Sequence, residues 1–365
     1  MIPYLVVFIL SAICSFAAYN VQKARPVFWT LIVLSVLLPA LLSGYRDMTV
    51  GIDVLLYGVS AFNDTYWIET FRDLWVREDD VRMEVGYVAF NWIIRHSTED
   101  IFWFFFWQQF FALSIVQIAC WRMQDKLNAP LLYTLYLVYY YCISMCHLRQ
   151  MFAVAIVVLA YSFAIDRQWL KFGICLLLAM IFHRSAVFVG IVYLAHFVIS
   201  DEEPVNPKYL LALLIGGTIF VVLFPPLMYL AIDYGLMDAK YAKYAEDVGN
   251  RVHKADLLIT GVMYLFYRID KDNYHYANSI RIFSLMALFI LACGMYNDVA
   301  QRIAYYLNIY LFINILCLAH KQDRLRLSYA EIALMSLLVV QFVYIGLRFR
   351  FAEVIPYTSS TLGIG

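Results

Sequence analysis

Charge is what this sequence has least of. Only 15% of its 365 residues are Asp, Glu, Lys or Arg, against about a quarter in a soluble globular domain. Acidic and basic residues balance at 27 each, so no polyanionic partner such as nucleic acid is implied. Familiar catalytic motifs are missing too. There is no GxxxxGK[ST] phosphate loop, no dinucleotide-binding glycine pattern after a strand, and no HExxH or metal-spaced His/Cys set. An enzyme built on this chain needs a donor that is not a nucleotide, or one bound unconventionally. The seven cysteines lie mostly within apolar runs (Cys14, Cys120, Cys175, Cys317) and form no CxxC pair, so they read as small apolar helix residues. The N-terminal "MIPYLVVFILSAICSF" has no basic n-region and reads as a retained first span, not a cleaved signal.

What is there instead is apolar. Hydrophobic residues make up 64% of the chain, and runs near the length that crosses a bilayer of roughly 30 Å recur from end to end. "LIVLSVLLPALL" does not alternate, which excludes a transmembrane barrel. The class is an all-α polytopic membrane protein. Spans are expected at Ile2–Tyr19, Val27–Leu42, Ile101–Cys120, Pro130–Cys146, Met151–Ile165, Leu170–Phe182, Ser185–Ile199, Tyr209–Leu230, Leu257–Tyr267, Ile280–Cys293, Ala300–Ala319 and Tyr329–Leu347. That is about twelve transmembrane helices, with Leu170–Phe182, Leu257–Tyr267 and Ile280–Cys293 short for full crossings. The whole chain, 1–365, reads as one multi-span membrane domain with polar loops at 43–100 and 232–256.

Basic residues in short loops set orientation. Lys23, Arg25, Arg122, Lys126, Arg167, Lys171, Arg268, Lys271, Arg281, Lys321, Arg324 and Arg326 all fall on one side, expected to be cytoplasmic, although the acidic "SDEEPVNPK" shares it. The loops 43–100 and 232–256 and the N-terminus are then outside.

The remaining polar groups gather on that outer side. Arg46 and Asp53 open the first outer loop, and Tyr57 lies one helical turn beyond Asp53. Glu84, Tyr87 and Asn91 in "EVGYVAFN" fall at i, i+3 and i+7, so one helical face can carry all three. Arg149 and Gln150 sit where the fourth span gives way to the fifth, His183 and Arg184 between the sixth and seventh, and Arg302 at the start of the eleventh. Arg149 and Arg302 could each simply snorkel from a span end, and His183 could be a packing histidine. The run "VREDDVR" around Asp79 and Asp80 reads as solvated charge. The aromatic content of 18% suits interface and helix packing, with sugar stacking as the functional alternative.

In order and spacing, "GYRDMTVGIDVLLY", "EVGYVAFN", "RQMFAVAI", "AMIFHRSA", "RIAYYL" and a late "VIPY" resemble the EpsG family, whose members are similar to Wzy-type polymerases of O-antigen and exopolysaccharide synthesis. The resemblance covers nearly the whole chain. It implies a GT-C-like glycosyltransferase membrane architecture in the bacterial inner membrane, with an active site facing the periplasm or cell exterior. The implied substrate is an oligosaccharide repeat unit on undecaprenyl diphosphate, and the implied partners are the bilayer, a chain-length regulator and a flippase.

On that reading Arg46, Arg149 and Arg302 hold the diphosphate, since arginine binds phosphate bidentately. Asp53 or Glu84, with His183 third, accepts the acceptor hydroxyl's proton; Asp53 is favoured. Tyr57, Tyr87, Asn91 and Gln150 can hydrogen-bond sugar hydroxyls. The family analogy implies inverting transfer, and arginines supplying the positive charge make a metal or other cofactor unnecessary. Rival readings are a lipid-linked oligosaccharide flippase or secondary transporter, a membrane acyltransferase with His183 as base, and a non-enzymatic scaffold. Residues 41–58, which carry Gly44 and Gly51, read as the wall of a site more than as a plain loop.

Overall fold

A computed structural model describes residues 1–70, 72–73, 83–235, 253–269, 273–294, 296, 298–320 and 327–365. The acidic run at Asp79 and Asp80, most of the loop 232–256, and Lys271, Lys321, Arg324 and Arg326 lie outside the described residues. Among the described residues the chain is helical throughout. The helices are α1 (Ile2–Asn20), α2 (Arg25–Gly44), α3 (Ser60–Asp64), α4 (Val85–Arg95), α5 (Ile101–Arg122), α6 (Ala129–Cys146) and α7 (Leu148–Ile165). Then follow α8 (Trp169–Phe182), α9 (Ile191–His196), α10 (Pro207–Asp233), α11 (His253–Leu265), α12 (Tyr274–Cys293), α13 (Asp298–Ala319) and α14 (Tyr329–Phe349).

Nine of these, among the described residues, are long and apolar enough to cross a membrane: α1, α2, α5, α6, α7, α10, α12, α13 and α14. The protein is a polytopic membrane protein. Three of the expected spans are shorter. Trp169–Phe182 has 14 residues and His253–Leu265 has 13. The expected span at Ser185–Ile199 is a 3₁₀ segment, Arg184–Gly190, followed by the short α9. At roughly 1.5–2 Å per residue neither kind of piece reaches across about 30 Å alone. The expected short span at Ile280–Cys293 proves to be the end of a 20-residue helix, because "YHYANS" continues the turn upstream.

Local sequence explains the helix starts. Proline stands in the first turn of α1, α2, α6 and α10, where its missing N–H costs nothing. Asp100 caps α5 by accepting from Phe102 N at 2.9 Å, and Asn206 caps α10 by accepting from Lys208 N at 2.9 Å.

The chain divides into two compact units, residues 1–187 with 338–365, and residues 188–337. The first unit is built around α6. Apolar on all sides, α6 is buried on all sides, and Tyr133, Tyr136, Tyr140 and Tyr141 are fully buried. The tyrosine-rich "TLYLVYYYC" therefore packs helices. Inside α2, Pro39 cannot donate to the Ser35 carbonyl. That carbonyl is satisfied from other helices, by Tyr133 Oη at 2.8 Å and by Ser11 Oγ. Gln117 Nε2 adds bonds to Ser35 Oγ (2.9 Å) and Ser15 Oγ (3.3 Å). Such bonds between spans contribute about 0.6–2 kcal/mol each. At the C-terminal end of α5, Arg122 and, just beyond it, Lys126 share Asp166.

In the second unit, α10 leaves most of its residues exposed or half-buried, with Met228 alone buried among its described residues, as suits a helix with one side towards lipid. Asn278 of α12 donates to Ser200 O (2.9 Å) and Glu203 O (2.8 Å) and accepts from Val205 N (2.8 Å). This pins the acidic segment 200–205. Gln301 Nε2 donates to Asp256 Oδ2 at 2.6 Å.

Candidate functional site

The described residues between 45 and 100 form a folded cap, not a plain loop. Val54–Val59 winds as a π-helical turn and continues into α3. Val54, Phe62, Ile68, Tyr87, Val88 and Ile94 bury against Phe104 and Phe105 of α5 and Leu148 of α7. π-helical turns concentrate at functional sites, and this one starts at Asp53.

Gly51 adopts φ +105°, and a Cβ there would meet Val54 Cγ2 at 3.0 Å and the Met145 carbonyl at 3.2 Å. The glycine thus lets the segment lie against the end of α6. From there Arg46 reaches inward. Its Nη1 donates to Met145 O at 2.6 Å, and its guanidinium stacks 4.0 Å from the Phe105 ring centre. Arg46 is buried, its Nε finds no partner among the described residues, and no carboxylate pairs with it there. Burial lowers its pKa to about 10, which leaves it charged at neutral pH.

Asp53 Oδ2 lies 3.0 Å from Nδ1 of His147, the residue at the α6–α7 junction. Two residues on, Arg149 Nη1 donates to Glu84 Oε2 at 2.6 Å, and its guanidinium lies 4.7 Å from the Tyr57 ring centre. Glu84 precedes α4, and its Oε1 accepts from Arg184 N at 3.2 Å. Burial pushes the Glu84 pKa up, but the Arg149 guanidinium and the His183 imidazole outweigh it, leaving the carboxyl below its ordinary range. Tyr87 Oη donates to Tyr57 O at 2.7 Å, which ties α4 to the π-helical turn. Burial pushes the Tyr87 phenol up, against the opposing pull of Arg149, of its bond with Asn91 and of Arg46.

Of the residues singled out from sequence, Arg46, Asp53, Tyr57, Glu84, Tyr87, Asn91, Arg149, Gln150 and His183 all belong to the first unit. An unbroken contact chain runs from His147 through Asp53, Tyr57 and Arg149 to Glu84, Arg184 and His183. Asn91 is fully buried, with Nδ2 bonded to Tyr87 O at 2.8 Å, and Gln150 is buried too. Neither offers open surface to a sugar. Arg302, half-buried at the start of α13, belongs to the second unit.

Sequence reasoning passed over three features. The first is His147, although a histidine at a span junction beside an arginine was a signal. The second is the set of Asp53, Cys146 and His147, whose possible ligand atoms lie within 4.8 Å of one another and could hold a metal ion. The third is what the C-terminal segment around "VIPY" touches. Glu353 O and Ala352 O accept from Gly51 N (3.2 Å) and Ile52 N (3.1 Å), Thr358 O accepts from Asp47 N (3.1 Å), and Tyr357 Oη donates to Leu42 O (2.9 Å). Arg350, Phe351, Ala352 and Glu353 all take positive φ, between 46° and 65°. Each such residue costs about 1–2 kcal/mol, so the contacts of the tail must offset real strain.

A sequence model of the EpsG family matches residues 29–359. The match takes in Arg46 through Arg302 and most of the C-terminal segment. No curated protein and no solved structure matches the chain.

Proposed function

The chain belongs to the EpsG family, and from that premise we propose that it is a polysaccharide polymerase. It transfers a growing glycan from undecaprenyl diphosphate to the next lipid-linked repeat unit, at the outer face of the bacterial inner membrane. The observation that carries this reading is Arg46, a buried guanidinium with no carboxylate partner among the described residues. An unpaired buried charge costs several kcal/mol. A site keeps one when an anion arrives to neutralise it, and a lipid diphosphate is such an anion.

Arg149 is the second phosphate ligand. Glu84 holds one arm of its guanidinium and Tyr57 supports its face, leaving other N–H groups for phosphate oxygens. As the bond to the diphosphate breaks, negative charge grows on the leaving oxygen, and preorganised arginines stabilise it without reorganising. Two arginines supply that charge without a metal. In this assignment Glu84 acts through Arg149. Asn91 acts through Tyr87, and Tyr57 shapes the floor of the site. Arg302, in the second unit, remains a candidate substrate contact, buried Gln150 does not, and the His183 imidazole helps hold the Glu84 carboxyl ionised. Transfer is inverting by analogy with the family. Chain-length regulator and flippase are partners expected of such a pathway.

Purified full-length protein, reconstituted in lipid and given a lipid-linked repeat unit, should produce a ladder of glycan lengths on a gel. Transport of the intact unit with no ladder would favour a flippase and end this reading.

A further inference from the structure

We propose that Ser360 is a positioning residue of the donor site: it holds the carboxylate of Asp47 and so leaves Arg46, the neighbouring residue, for the incoming diphosphate. The inference rests on the polymerase reading and makes the C-terminal segment around "VIPY" part of that site. A buried guanidinium is stabilised by a carboxylate that can reach it. The carboxylate nearest to Arg46 along the chain is Asp47. A pair between the two would relieve the buried charge, and the diphosphate would then have to displace it.

The structure sends the two side chains different ways. Arg46 turns to Met145 O and the Phe105 ring. Asp47 is taken by Ser360, whose N–H and hydroxyl both donate to Oδ1, at 2.8 and 2.5 Å. These two bonds hold the Asp47 carboxyl below its ordinary range, so it stays ionised. Thr358 O accepts from Asp47 N at 3.1 Å, so the same segment grips the backbone as well. Burial pushes the Tyr357 phenol up to about 12, Ser359 and Arg46 oppose that rise, and Asp47 adds to it. The charges of Arg46 and Asp47 thus act on one phenol, yet they do not pair.

Ser360 is itself fixed. Residues 359–364 close on themselves, with Ser359 N donating to Ile364 O at 2.7 Å and Ile364 N to Ser359 O at 3.0 Å. Ser359 is fully buried, and its hydroxyl accepts from Leu362 N at 3.2 Å. Gly363 supplies the positive φ, +66°, within that turn. Upstream, Tyr357 Oη meets Leu42 O, one of the last carbonyls of α2, which a helix end leaves without an intrahelical donor. The segment therefore grips the chain at Leu42, Asp47, Gly51 and Ile52, on both sides of Arg46. A mechanical latch needs only these backbone contacts. Two donors on one carboxylate oxygen do something further, since they compete with Arg46 for its charge.

The test uses full-length protein in lipid nanodiscs and measures both the affinity for undecaprenyl diphosphate and ladder formation. Ser360→Ala removes one of the two donors and leaves the backbone contacts in place. It should raise KM and the dissociation constant roughly tenfold, the scale of one charge-assisted hydrogen bond, with kcat little changed and an unfolding temperature near wild type. Ser360→Thr keeps the hydroxyl and should bind normally. Asp47→Asn should bind at least as tightly as wild type. Added to Ser360→Ala, it should restore wild-type affinity, because the rival charge is gone. Normal affinity in Ser360→Ala overturns the proposal. So does a double variant that binds as poorly as Ser360→Ala, which would make the segment a latch and nothing more. A wild type that binds undecaprenyl diphosphate but makes no ladder sinks the polymerase reading alone, and the affinities still decide the role of Ser360. A wild type that does not bind it overturns both.

Discussion

Replacing Arg149 with lysine separates a phosphate fork from a simple positive charge. In the structure one arm of the fork, Nη1, is committed to Glu84 at 2.6 Å, and the plane lies over Tyr57 at 4.7 Å. The remaining N–H groups of the guanidinium are free in direction to meet two phosphate oxygens. A lysine carries the same charge on one nitrogen atom. It cannot keep Glu84 and meet two in-plane oxygens together. At least one charge-assisted hydrogen bond is lost, worth about 1.5–3 kcal/mol. At about 1.4 kcal/mol per tenfold, Arg149→Lys should lower kcat/KM roughly ten- to hundredfold. Glu84→Gln should act more mildly and mainly on KM, because it loosens the arginine without removing it. The assay is ladder formation from a lipid-linked repeat unit, quantified against substrate concentration, with unfolding temperature in detergent as a control for folding. A folded Arg149→Lys enzyme of near-normal kcat/KM would refute the fork, and with it the diphosphate role of Arg149.

Three further outcomes are expected. A cysteine placed at Asn63, an exposed residue of α3, should react with an impermeant thiol reagent added from outside; protection there would reverse the orientation of the cap. Gly86→Ala would bring a Cβ to 2.7 Å from the Ile181 carbonyl, so α4 should be pushed off α8 and the protein should unfold at lower temperature, by about 1–3 kcal/mol; an unchanged melting curve would contradict that contact. Because the Glu84 carboxyl is held below its ordinary range, its ionisation stabilises the fold above that range, near pH 4.3 for an unperturbed glutamate, and the contribution is lost as pH falls through the lowered value; thermal melts of wild type and Glu84→Gln should therefore converge at low pH, and parallel curves would disprove the coupling.

How much was legible beforehand follows from how local each signal is. The membrane class and the helix positions came from apolar run length, a property of neighbouring residues. So did the breaks between spans, where a polar residue next to an apolar run marks an end whatever the rest of the chain does. The cluster of Arg46, Asp53, Glu84 and Arg149 was foreseen by counting spans, since alternate loops must share a side. Pairing was not foreseeable. Asp53 and His147 stand 94 positions apart, and Glu84 and Arg149 stand 65 apart. Nothing in a linear pattern says which carboxylate meets which cation when each has several candidates at one face. The same holds for the tail, where Glu353 and Ala352 reach Gly51 and Ile52 across the length of the chain. Sequence alone determined which stretches must leave water and which polar groups gather at their ends, because burial of apolar surface depends on composition. Only the tertiary structure decided that Asp53 holds a histidine, that Glu84 holds an arginine and that Arg46 meets no carboxylate among the described residues, because side-chain partners depend on which helices pack and at what register.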